Sequence, residues 1–566
     1  MSAEPRLKVV LCWHMHQPQY RDLISGHYYL PWSYLHAIKD YVDMAAHLEA
    51  VPEARAVVNF APLLLEQIDD YARHVHGYLN NGLSIGDPLL AALAQPVLPG
   101  EAEARLALVK GCLRANEARM IRRFPDYQRL VDMAGWIELH PQALHYLSDQ
   151  YLADLLVWYH LAWLGETVRR QDPRVRQLMD KAAGYTLHDR RELLAIVDEL
   201  LAGLLPRYRR LAERGQVELS VTPYAHPIVP LLIDFATARE AMPGVSLPAV
   251  AAYPDGSERA RWHIRAAVES FERHFGFRPH GCWPSEGGVS AATLGLLSEA
   301  GFRWAATGET VLANSRQQVG AAAHDLKAEW LYQPYRLDGQ TVSCFFRDDG
   351  LSDLIGFSYA SWHADDAVGN LVQQLEGIAA ASRAHPERIV SIILDGENAW
   401  EHYPENGYYF LSALYQRLAR HPHIELTTFS DYLGQHSPGT LATLTAGSWV
   451  YGTFSTWIGD IDKNRGWEML VDARHAVDAR WPQLGDAERS QVAQQLAVCE
   501  GSDWFWWFGD YNPAQTVSDF EHLYRVHLGN LYQLLGVEPP GYLAQTFTRG
   551  RGAPVHGGVM RPGQAG

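Results

Sequence analysis

The sequence predicts an α/β protein in which a parallel barrel is followed by a region of helices. Short apolar runs alternate with longer helical patterns up to about residue 435, as in a parallel sheet with crossover helices. At least seven of these runs are continuously apolar rather than alternating, which favours a barrel over an open sheet. Beyond residue 435 the patterns are helical, and we expect no strand there.

The predicted strands are short runs rich in Val, Ile, Leu and aromatic residues. They cover residues 7–13, 56–61, 217–223, 280–283, 303–307, 341–346, 388–394 and 424–429. A long helical stretch around residues 100–215 is predicted as an insertion between the second and third strands. Its segment 154–168 is apolar nearly all round and should be buried. Segment 190–215 is amphipathic and ends at Gly215, a favourable C-cap.

The pattern divides the chain into three parts. Residues 1–435 form the expected barrel with its helical insertion, and residues 436–546 form a helical C-terminal region. The helices of that region are expected at 463–481, 485–500 and 516–536. Residues 547–566 are rich in Gly and Pro and poor in apolar side chains, so a flexible tail is expected there.

The composition argues against several kinds of partner. The 566 residues have a formal net charge of −17 and no basic cluster, so nucleic-acid binding is not expected. No stretch of 18 apolar residues occurs, so we expect no membrane span. The charged first residues do not resemble a signal peptide, and the five cysteines include no CxxC pair. These features predict a cytoplasmic protein with reduced thiols, and they predict no particular oligomeric state.

The aromatic content permits two interpretations. The chain contains 18 Trp and 28 Tyr. A large aromatic core would account for them. Flat rings with polar edges would also suit sugar faces, on which such rings stack. The count alone leaves both interpretations open.

Polar and aromatic side chains follow four of the predicted strands, where each strand ends. Ligands of parallel α/β folds bind at the carboxyl ends of the strands. In chain order these residues are His14, His16, Tyr224, His226, Trp283, Glu286, Asp395, Glu397 and Trp400. Each one alone is more typical of a turn, a cap or a core. Their joint occurrence at one end of the barrel favours a shared site.

Glu286 and Asp395 follow separate strands and lie among aromatic and imidazole side chains. Such a pair suits cleavage of a glycosidic bond, in which one carboxyl group is ionised and the other is protonated. A second negative charge and partial burial beneath an indole would keep one proton on the pair. The pattern therefore predicts a glycoside-cleaving site.

The spacing of His14 and His16 also permits a metal site. On a strand these two side chains share a face, and with Asp395 and Glu397 they would form a shell of imidazole and carboxylate ligands. No HExxH pattern and no third histidine at metal spacing accompanies them. We therefore expect no metal and no cofactor, with a metal-dependent hydrolase or deacetylase as a less favoured alternative.

The motifs taken together resemble glycoside hydrolase family 57, and within it the α-amylase and amylopullulanase-like group. The matching stretches are HMHQP (14–18), DLLVWYHLAWLG (154–165), GQVELSVTPYAHPI (215–228), WPSEGGVS (283–290), ILDGENAWEHY (393–403), WIGDIDKNRGWEML (457–470) and GSDWFWWFGD (501–510). They occur in family order from residue 7 to about residue 515. The resemblance implies an incomplete (β/α)7 barrel, a helical C-terminal region and a retaining enzyme that acts on α-glucans.

The resemblance also implies roles for individual residues. Glu286 of WPSEGG falls at the nucleophile position, and Asp395 of DGEN falls at the acid/base position. The implied substrate-binding residues are His14, His16, Gln17, His226, Trp283, Glu397, Trp400, Trp457, Asp460 and Trp504. The implied mechanism is double displacement, which requires carboxyl groups about 5–5.5 Å apart.

The reaction type stays open between related activities. Family members with this carboxylate pair hydrolyse α-1,4 bonds, cleave α-1,6 branches, transfer glucan chains or make branches. The C-terminal motifs are most similar to the amylase and amylopullulanase branch. We therefore favour a hydrolase of maltodextrin, starch or glycogen that acts mainly on α-1,4 bonds, and action on α-1,6 bonds stays open. The first alternative is a 4-α-glucanotransferase or branching enzyme, and the second is a non-catalytic glucan-binding protein.

Overall fold

The computed structural model describes residues 6–320, 326–383, 385 and 387–552. Within these ranges, ten strands belong to one sheet. They are β1 (Leu7–Met15), β2 (Ala56–Phe60), β3 (Val217–Val221), β4 (Gly281–Cys282), β5 (Trp304–Gly308), β6 (Tyr335–Leu337), β7 (Ser343–Arg347), β8 (Ile389–Asp395), β9 (Ile424–Leu426) and β10 (Gly439–Leu441).

Seven of these strands form a closed, parallel ring. The ring runs β1–β2–β3–β4–β5–β7–β8, and β8 pairs again with β1. One residue pair, Arg347 with Ser391, joins β7 to β8, so the ring has a weak seam there. The predicted parallel barrel of seven strands is confirmed.

Three short strands lie outside the ring. β9 pairs with β1 and stops at Leu426, so the run predicted to extend to residue 429 contributes only its first half. β6 and β10 were not predicted, and each has three residues. β10 lies beyond residue 435, so the expectation of no strand in that region is wrong. A three-residue strand is too short to produce a hydrophobic period.

Helices surround the ring and fill the insertion. Those up to residue 213 are α1 (Trp32–His36), α2 (Val42–Ala50), α3 (Pro62–Asn81), α4 (Pro88–Ala94), α5 (Ala102–Gly111), α6 (Pro125–Leu139), α7 (Asp149–Trp163), α8 (Glu166–Gln171), α9 (Pro173–Lys181) and α10 (Leu187–Glu213). Those up to residue 435 are α11 (Val229–Ile233), α12 (Gly256–Phe275), α13 (Ala291–Glu299), α14 (Glu309–Gln318), α15 (Lys327–Trp330), α16 (Asp349–Asp353), α17 (Ala364–Ala381), α18 (Tyr408–Ala419) and α19 (Phe429–Gln435).

The insertion follows its sequence pattern closely. α7 is buried along most of its length, as its apolar composition predicts. It ends before Gly165, where a Cβ would lie only 2.5 Å from the Asp43 carboxylate. α10 begins at a capping box formed by Thr186 and Asp189 and packs against α3.

The barrel interior is a separate apolar cluster. Trp304 at the start of β5 packs against Phe429 of α19, with ring centroids 4.5 Å apart. Phe345 of β7 packs against the same ring at 4.4 Å. α19 therefore fills the amino-terminal end of the barrel. The carboxyl end is left for polar groups.

The C-terminal region is mainly helical, as predicted. Its helices are α20 (Ile461–Arg480), α21 (Asp486–Cys499), α22 (Ser502–Trp507) and α23 (Ala514–Leu534). Phe547, at the start of the expected tail, packs on Phe508 with ring centroids 4.9 Å apart, and Thr548 is buried. Residues 553–566 of that tail lie outside the described residues.

Two further observations concern membrane-spanning helices and the cysteine thiols. No described helix is long and apolar enough to cross a membrane. All five cysteines are free thiols and are buried.

A buried ionic network joins α12 to the end of α21. The Glu500 carboxylate accepts hydrogen bonds from Arg259 Nε at 2.8 Å and Nη2 at 2.7 Å, and it lies 2.7 Å from His263 Nε2. Burial disfavours its ionised form, but Arg259 and His263 outweigh burial and lower the pKa of Glu500 below its ordinary range.

We expect Glu500→Gln to lower the free energy of unfolding by about 3–5 kcal/mol, because Arg259 would be left buried without its charge partner. Denaturant unfolding measures this change. Because the folded-state pKa of Glu500 is lowered, its contribution is present above the unfolded value of about 4.3 and is lost as the pH falls through the folded value. The difference between the two proteins should therefore shrink in acid.

The matched control is Glu299→Gln, which removes an exposed partner of Arg261. Exposed pairs contribute about 0–1 kcal/mol, so this variant should unfold nearly as the parent does. Equal unfolding midpoints for Glu500→Gln and the parent protein would contradict the assigned role.

Candidate active site

The site is formed where four strands of the barrel end. His14 of β1 pairs in register with Asn59 of β2 on one side and with Asp395 of β8 on the other. His226 follows β3 and Glu286 follows β4. The strand-end prediction therefore placed these residues at the correct end of the barrel.

A cavity of about 790 Å³ opens at this end of the barrel, and both Glu286 and Asp395 line it. Several residues that were not predicted as site residues also line it. They are Arg119, Arg347, Asp349, Asp353, Phe357, Asn398, Trp449, Tyr451 and Trp506. The volume is within the range of small-molecule and oligosaccharide pockets.

Glu286 occupies a tight turn after β4. Its φ of 56° is in the left-handed region, which residues other than Gly rarely adopt. Trp449 Nε1 donates to its Oε2 at 2.9 Å, and the Trp449 backbone N–H donates to its carbonyl oxygen at 3.1 Å. Burial and the Asp395 charge raise the pKa of Glu286 well above its ordinary value, while the Trp449 hydrogen bond acts in the opposite direction.

Asp395 is the last residue of β8 and lies half-buried in the cavity wall. Asn398 Nδ2 donates to its Oδ2 at 2.8 Å. Burial raises the pKa of Asp395, and the Asn398 hydrogen bond, His16 and Arg347 oppose that rise. Because burial raises the pKa of both carboxyl groups, the two groups together retain one proton at a higher pH than exposed carboxyl groups would.

Three imidazoles form a buried stack beside this pair. His14 Nδ1 is hydrogen-bonded to Asn59 Oδ1 at 2.7 Å, and His14 Nε2 lies 3.2 Å from His226 Nε2. The His16 and His226 rings stack with centroids 3.7 Å apart. Burial, with a contribution from His16, lowers the pKa of His14 to about 3 and that of His226 well below its ordinary value. Both rings are therefore neutral at neutral pH.

The stack is tied to the C-terminal region through α22. His16 Nε2 is 2.8 Å from Asp503 Oδ1, and His226 Nδ1 is 2.8 Å from Ser502 Oγ. α22 thus supplies two partners to histidines of the barrel, and its Trp506 lines the cavity.

Lys463 of α20 holds the end of α22. Its buried Nζ donates to the carbonyl oxygens of Phe505 at 2.5 Å and Phe508 at 2.8 Å. Burial lowers the pKa of this amine to about 7. The amine satisfies helix-end carbonyls that have no intrahelical partner.

Gln17 and Glu397 form a second buried contact beside the cavity. Gln17 Nε2 donates to Glu397 Oε1 at 3.3 Å, and the Tyr20 hydroxyl donates to Gln17 Oε1 at 3.0 Å. Burial and the Asp395 charge raise the pKa of Glu397 well above its ordinary value. The surroundings of this carboxyl group therefore favour its neutral form.

One group of described residues, His16, His226 and Asp503, has donor atoms within 4.8 Å of one another. The geometry fits a metal ion poorly. The two imidazole rings are nearly parallel, with an interplanar angle of 13°, so their in-plane lone pairs point side by side rather than to one centre. Both His226 nitrogens and one His16 nitrogen already have hydrogen-bond partners, although His16 Nδ1 has none among the described residues. The expectation of no metal stays a prediction.

The tryptophans among the implied substrate-binding residues lie in the core. Trp283 is fully buried and packs edge-on against Trp449, with centroids 5.1 Å apart. Trp400, Trp457 and Trp504 are fully buried, and none of them lines the cavity. Asp460 caps α20 through the Asp462 backbone N–H. These positions support structural roles. Trp283 supports the Trp449 ring by packing against it.

Sequence reasoning missed Arg347 and Trp449. Arg347 ends β7, so the strand-end argument applied to the RDD of residues 347–349 would have found it. It stacks on the Trp449 ring, 5.3 Å from the centroid, and donates to the Ile393 carbonyl at 2.7 Å. Trp449 lies in a loop that does not follow a barrel strand. The sequence therefore contains no signal that distinguishes it from the other tryptophans.

Comparisons with known proteins give a family and similar folds. The sequence profile of glycosyl hydrolase family 57 matches residues 10–445. Among solved structures, similar chains include two branching enzymes of this family, from Thermococcus kodakaraensis (15% identity, TM-score 0.58, covering 94% of this chain and 90% of that chain) and from Pyrococcus horikoshii (14%, 0.57, 99% and 99%). The α-amylase AmyC from Thermotoga maritima is similar at 13% identity (TM-score 0.54, 94% and 93%).

At these identities the similar structures show the fold alone. No curated protein sequence matches the chain. The profile match spans more than half of the residues and includes Glu286 and Asp395 of the cavity. The chain belongs to glycosyl hydrolase family 57.

Proposed function

We propose that the protein is a retaining α-glucan hydrolase that cleaves mainly α-1,4 bonds in maltodextrin, starch or glycogen. One observation supports this most directly: Glu286 and Asp395, from two strand ends, line a single cavity. Family membership supports the class of reaction, and the similarity of the C-terminal motifs to the amylase and amylopullulanase branch supports hydrolysis.

In the proposed mechanism the Glu286 carboxylate attacks the anomeric carbon while Asp395 donates its proton to the departing glycosidic oxygen. The bond to that oxygen breaks, and a glycosyl-enzyme ester forms on Glu286. Asp395, now ionised, takes a proton from water, and the resulting hydroxide attacks the same carbon. The ester breaks, Glu286 is released as a carboxylate, and the product retains its configuration.

The electrostatics of the cavity support this division of roles. Both pKa values are raised by burial, so a state with one proton on the pair persists toward neutral pH. The Trp449 indole donates only to Glu286 and favours its ionised form. The first step requires the shared proton on Asp395; the Trp449 hydrogen bond favours that distribution, and the burial of Glu286 beside Asp395 acts against it.

The cavity mouth offers aromatic surfaces to a glucan chain. Phe357 is 58% exposed and Tyr451 is 38% exposed, and both line the cavity with Trp506. Apolar ring faces suit the C–H faces of pyranoses, and the charged side chains of Asp349 and Asp353 nearby suit hydroxyl groups.

Glucan transfer is the second candidate function. The exposed rings of Phe357 and Tyr451 would also hold an acceptor sugar over the glycosyl-enzyme, where it competes with water. Hydrolysis and glucan transfer would use the same two carboxylates, so the reaction products distinguish the two activities.

Incubation with maltoheptaose separates the two candidates. We expect shorter maltooligosaccharides, with reducing ends increasing in proportion to bonds cleaved. Chromatography of products and a reducing-end assay on the same samples measure this. Products longer than maltoheptaose with few new reducing ends would show a transferase, and new α-1,6 bonds would show a branching enzyme.

The roles of the two carboxylates are tested by Glu286→Ala and Asp395→Ala with azide. Both variants should lose at least ~1,000-fold in kcat on maltoheptaose, since each removes a reacting group. On an aryl α-maltoside, azide should replace the missing nucleophile in Glu286→Ala and give the β-glycosyl azide. In Asp395→Ala, azide should intercept the glycosyl-enzyme and give the α-glycosyl azide. Exchanged anomers would reverse the assignment, and Asp486→Asn, which changes a fully exposed carboxylate, serves as a control with normal turnover.

Trp449→Phe tests the hydrogen bond to the nucleophile. Its loss should raise the pKa of Glu286 further, so the acid limb of the kcat/KM profile should move to higher pH. A hydrogen bond to a charged group contributes about 1.5–3 kcal/mol, so kcat/KM at the optimum should fall roughly 10–100-fold. The exposed Trp362, which does not line the cavity, provides the control Trp362→Phe. An acid limb at the parent position would contradict this role for Trp449.

A further inference from the structure

A second cavity, of about 480 Å³, lies between α3, α12, α21 and the loop that follows β1. We call it the outer groove. It shares no lining residue with the catalytic cavity. We propose that the outer groove binds a segment of an α-glucan chain at a distance from the two catalytic carboxylates. This inference rests on the proposed function for the identity of the sugar.

Trp262 of α12 provides a rigid ring in the groove. The Arg259 guanidinium covers one part of the ring, 4.7 Å from its centroid. Tyr224 and His263 both pack against it at right angles, with centroids 5.4 Å away. The half-buried ring is thereby fixed in orientation, and its remaining surface lines the groove. A fixed indole face is the surface on which a pyranose stacks at little entropic cost.

Three side chains that line the groove have polar atoms without a partner among the described residues. Gln19 is 4% exposed, and its Oε1 accepts from the Arg21 backbone N–H at 3.3 Å, but its amide N–H₂ has no partner among the described residues. Gln494 donates to the Tyr224 hydroxyl at 3.0 Å, which leaves its side-chain oxygen available. The Trp262 indole N–H also has no hydrogen-bond partner in the described part of the chain. An amide donor, an indole donor and an amide acceptor lining one groove match the hydroxyl groups of a sugar.

The charged groups of the groove are largely paired with one another. The Asp70 carboxylate accepts from Arg21 at 2.8 Å and from Arg73 at 3.0 Å. Arg273 lies 3.5 Å from Glu66, which also accepts from the Tyr224 hydroxyl at 2.7 Å. Because these guanidinium groups already face carboxylates, the groove favours a neutral polyhydroxyl ligand over a phosphate or an acidic peptide.

The position of the groove gives it a use in the proposed function. Gln17, which contacts Glu397 beside the catalytic cavity, and Gln19, which lines the groove, are two residues apart on one loop. A polymer chain long enough to reach both sites would be retained near the carboxylates between cleavages. Short oligosaccharides would gain nothing from the groove.

Binding is tested on Glu286→Gln, which should bind maltoheptaose without consuming it. Titration calorimetry should give two sites per chain, and Trp262→Ala in the same background should leave one. In the otherwise unchanged enzyme, Trp262→Ala should raise KM for soluble starch at least fivefold. It should leave kcat/KM on an aryl maltoside unchanged. Trp136→Ala, which removes a 57% exposed indole of α6, is the matched control and should change none of these values.

Gln19→Ala combined with Gln494→Ala provides a second route if Trp262→Ala unfolds, because neither change disturbs the Arg259 network. One-site binding by Glu286→Gln, or two-site binding that survives both sets of variants, would overturn the inference while the proposed function stands. If the parent protein leaves α-glucans intact, the proposed function fails separately. Two-site binding would then still identify the groove as a sugar site.

Discussion

The hydrogen bond between His16 and Asp503 is the contact on which the site depends. It joins residues 487 positions apart and brings α22 onto the carboxyl end of the barrel. Ser502 of the same helix is hydrogen-bonded to His226, and Trp506 lines the cavity. Lys463 donates hydrogen bonds to the carbonyl oxygens at the end of this helix. The barrel alone would leave the histidine stack open on one side. The C-terminal helices are therefore part of the site, although the sequence pattern separates them from the barrel near residue 435.

Burial influences which polar groups at the carboxyl end of the barrel carry a charge. The neutral His14 and His226 satisfy each other and their neighbours, so they add hydrogen bonds without adding charge. Negative charge is then concentrated on few groups, and burial makes each further ionisation costly. This arrangement favours one ionised and one protonated carboxyl group in the pair of Glu286 and Asp395. Arg347 and Trp449 adjust the balance because one lies near Asp395 and the other donates to Glu286.

The sequence predicted the architecture better than it predicted the walls of the cavity. Buried parallel strands produce continuous apolar runs, so all seven ring strands were recognised, and their polar ends located Glu286 and Asp395. β6 and β10 were missed because three residues show no period. Trp400, Trp457 and Trp504 could not be distinguished from ligand-facing rings, because the residue type alone does not show whether an indole is buried or exposed. Trp449 depends on a loop conformation that brings it to Glu286, and long-range loop placement is not encoded in local patterns.

The left-handed backbone of Glu286 has a consequence for how this fold is maintained over generations. A residue with a Cβ pays a steric penalty at a φ of 56°, and its carboxylate is also held out of water. Glycine at this position would relieve both strains, so random drift toward a more stable protein would tend to erase the carboxylate. Glutamate at this position therefore costs folding stability that glycine would not, and the proposed chemistry accounts for that cost.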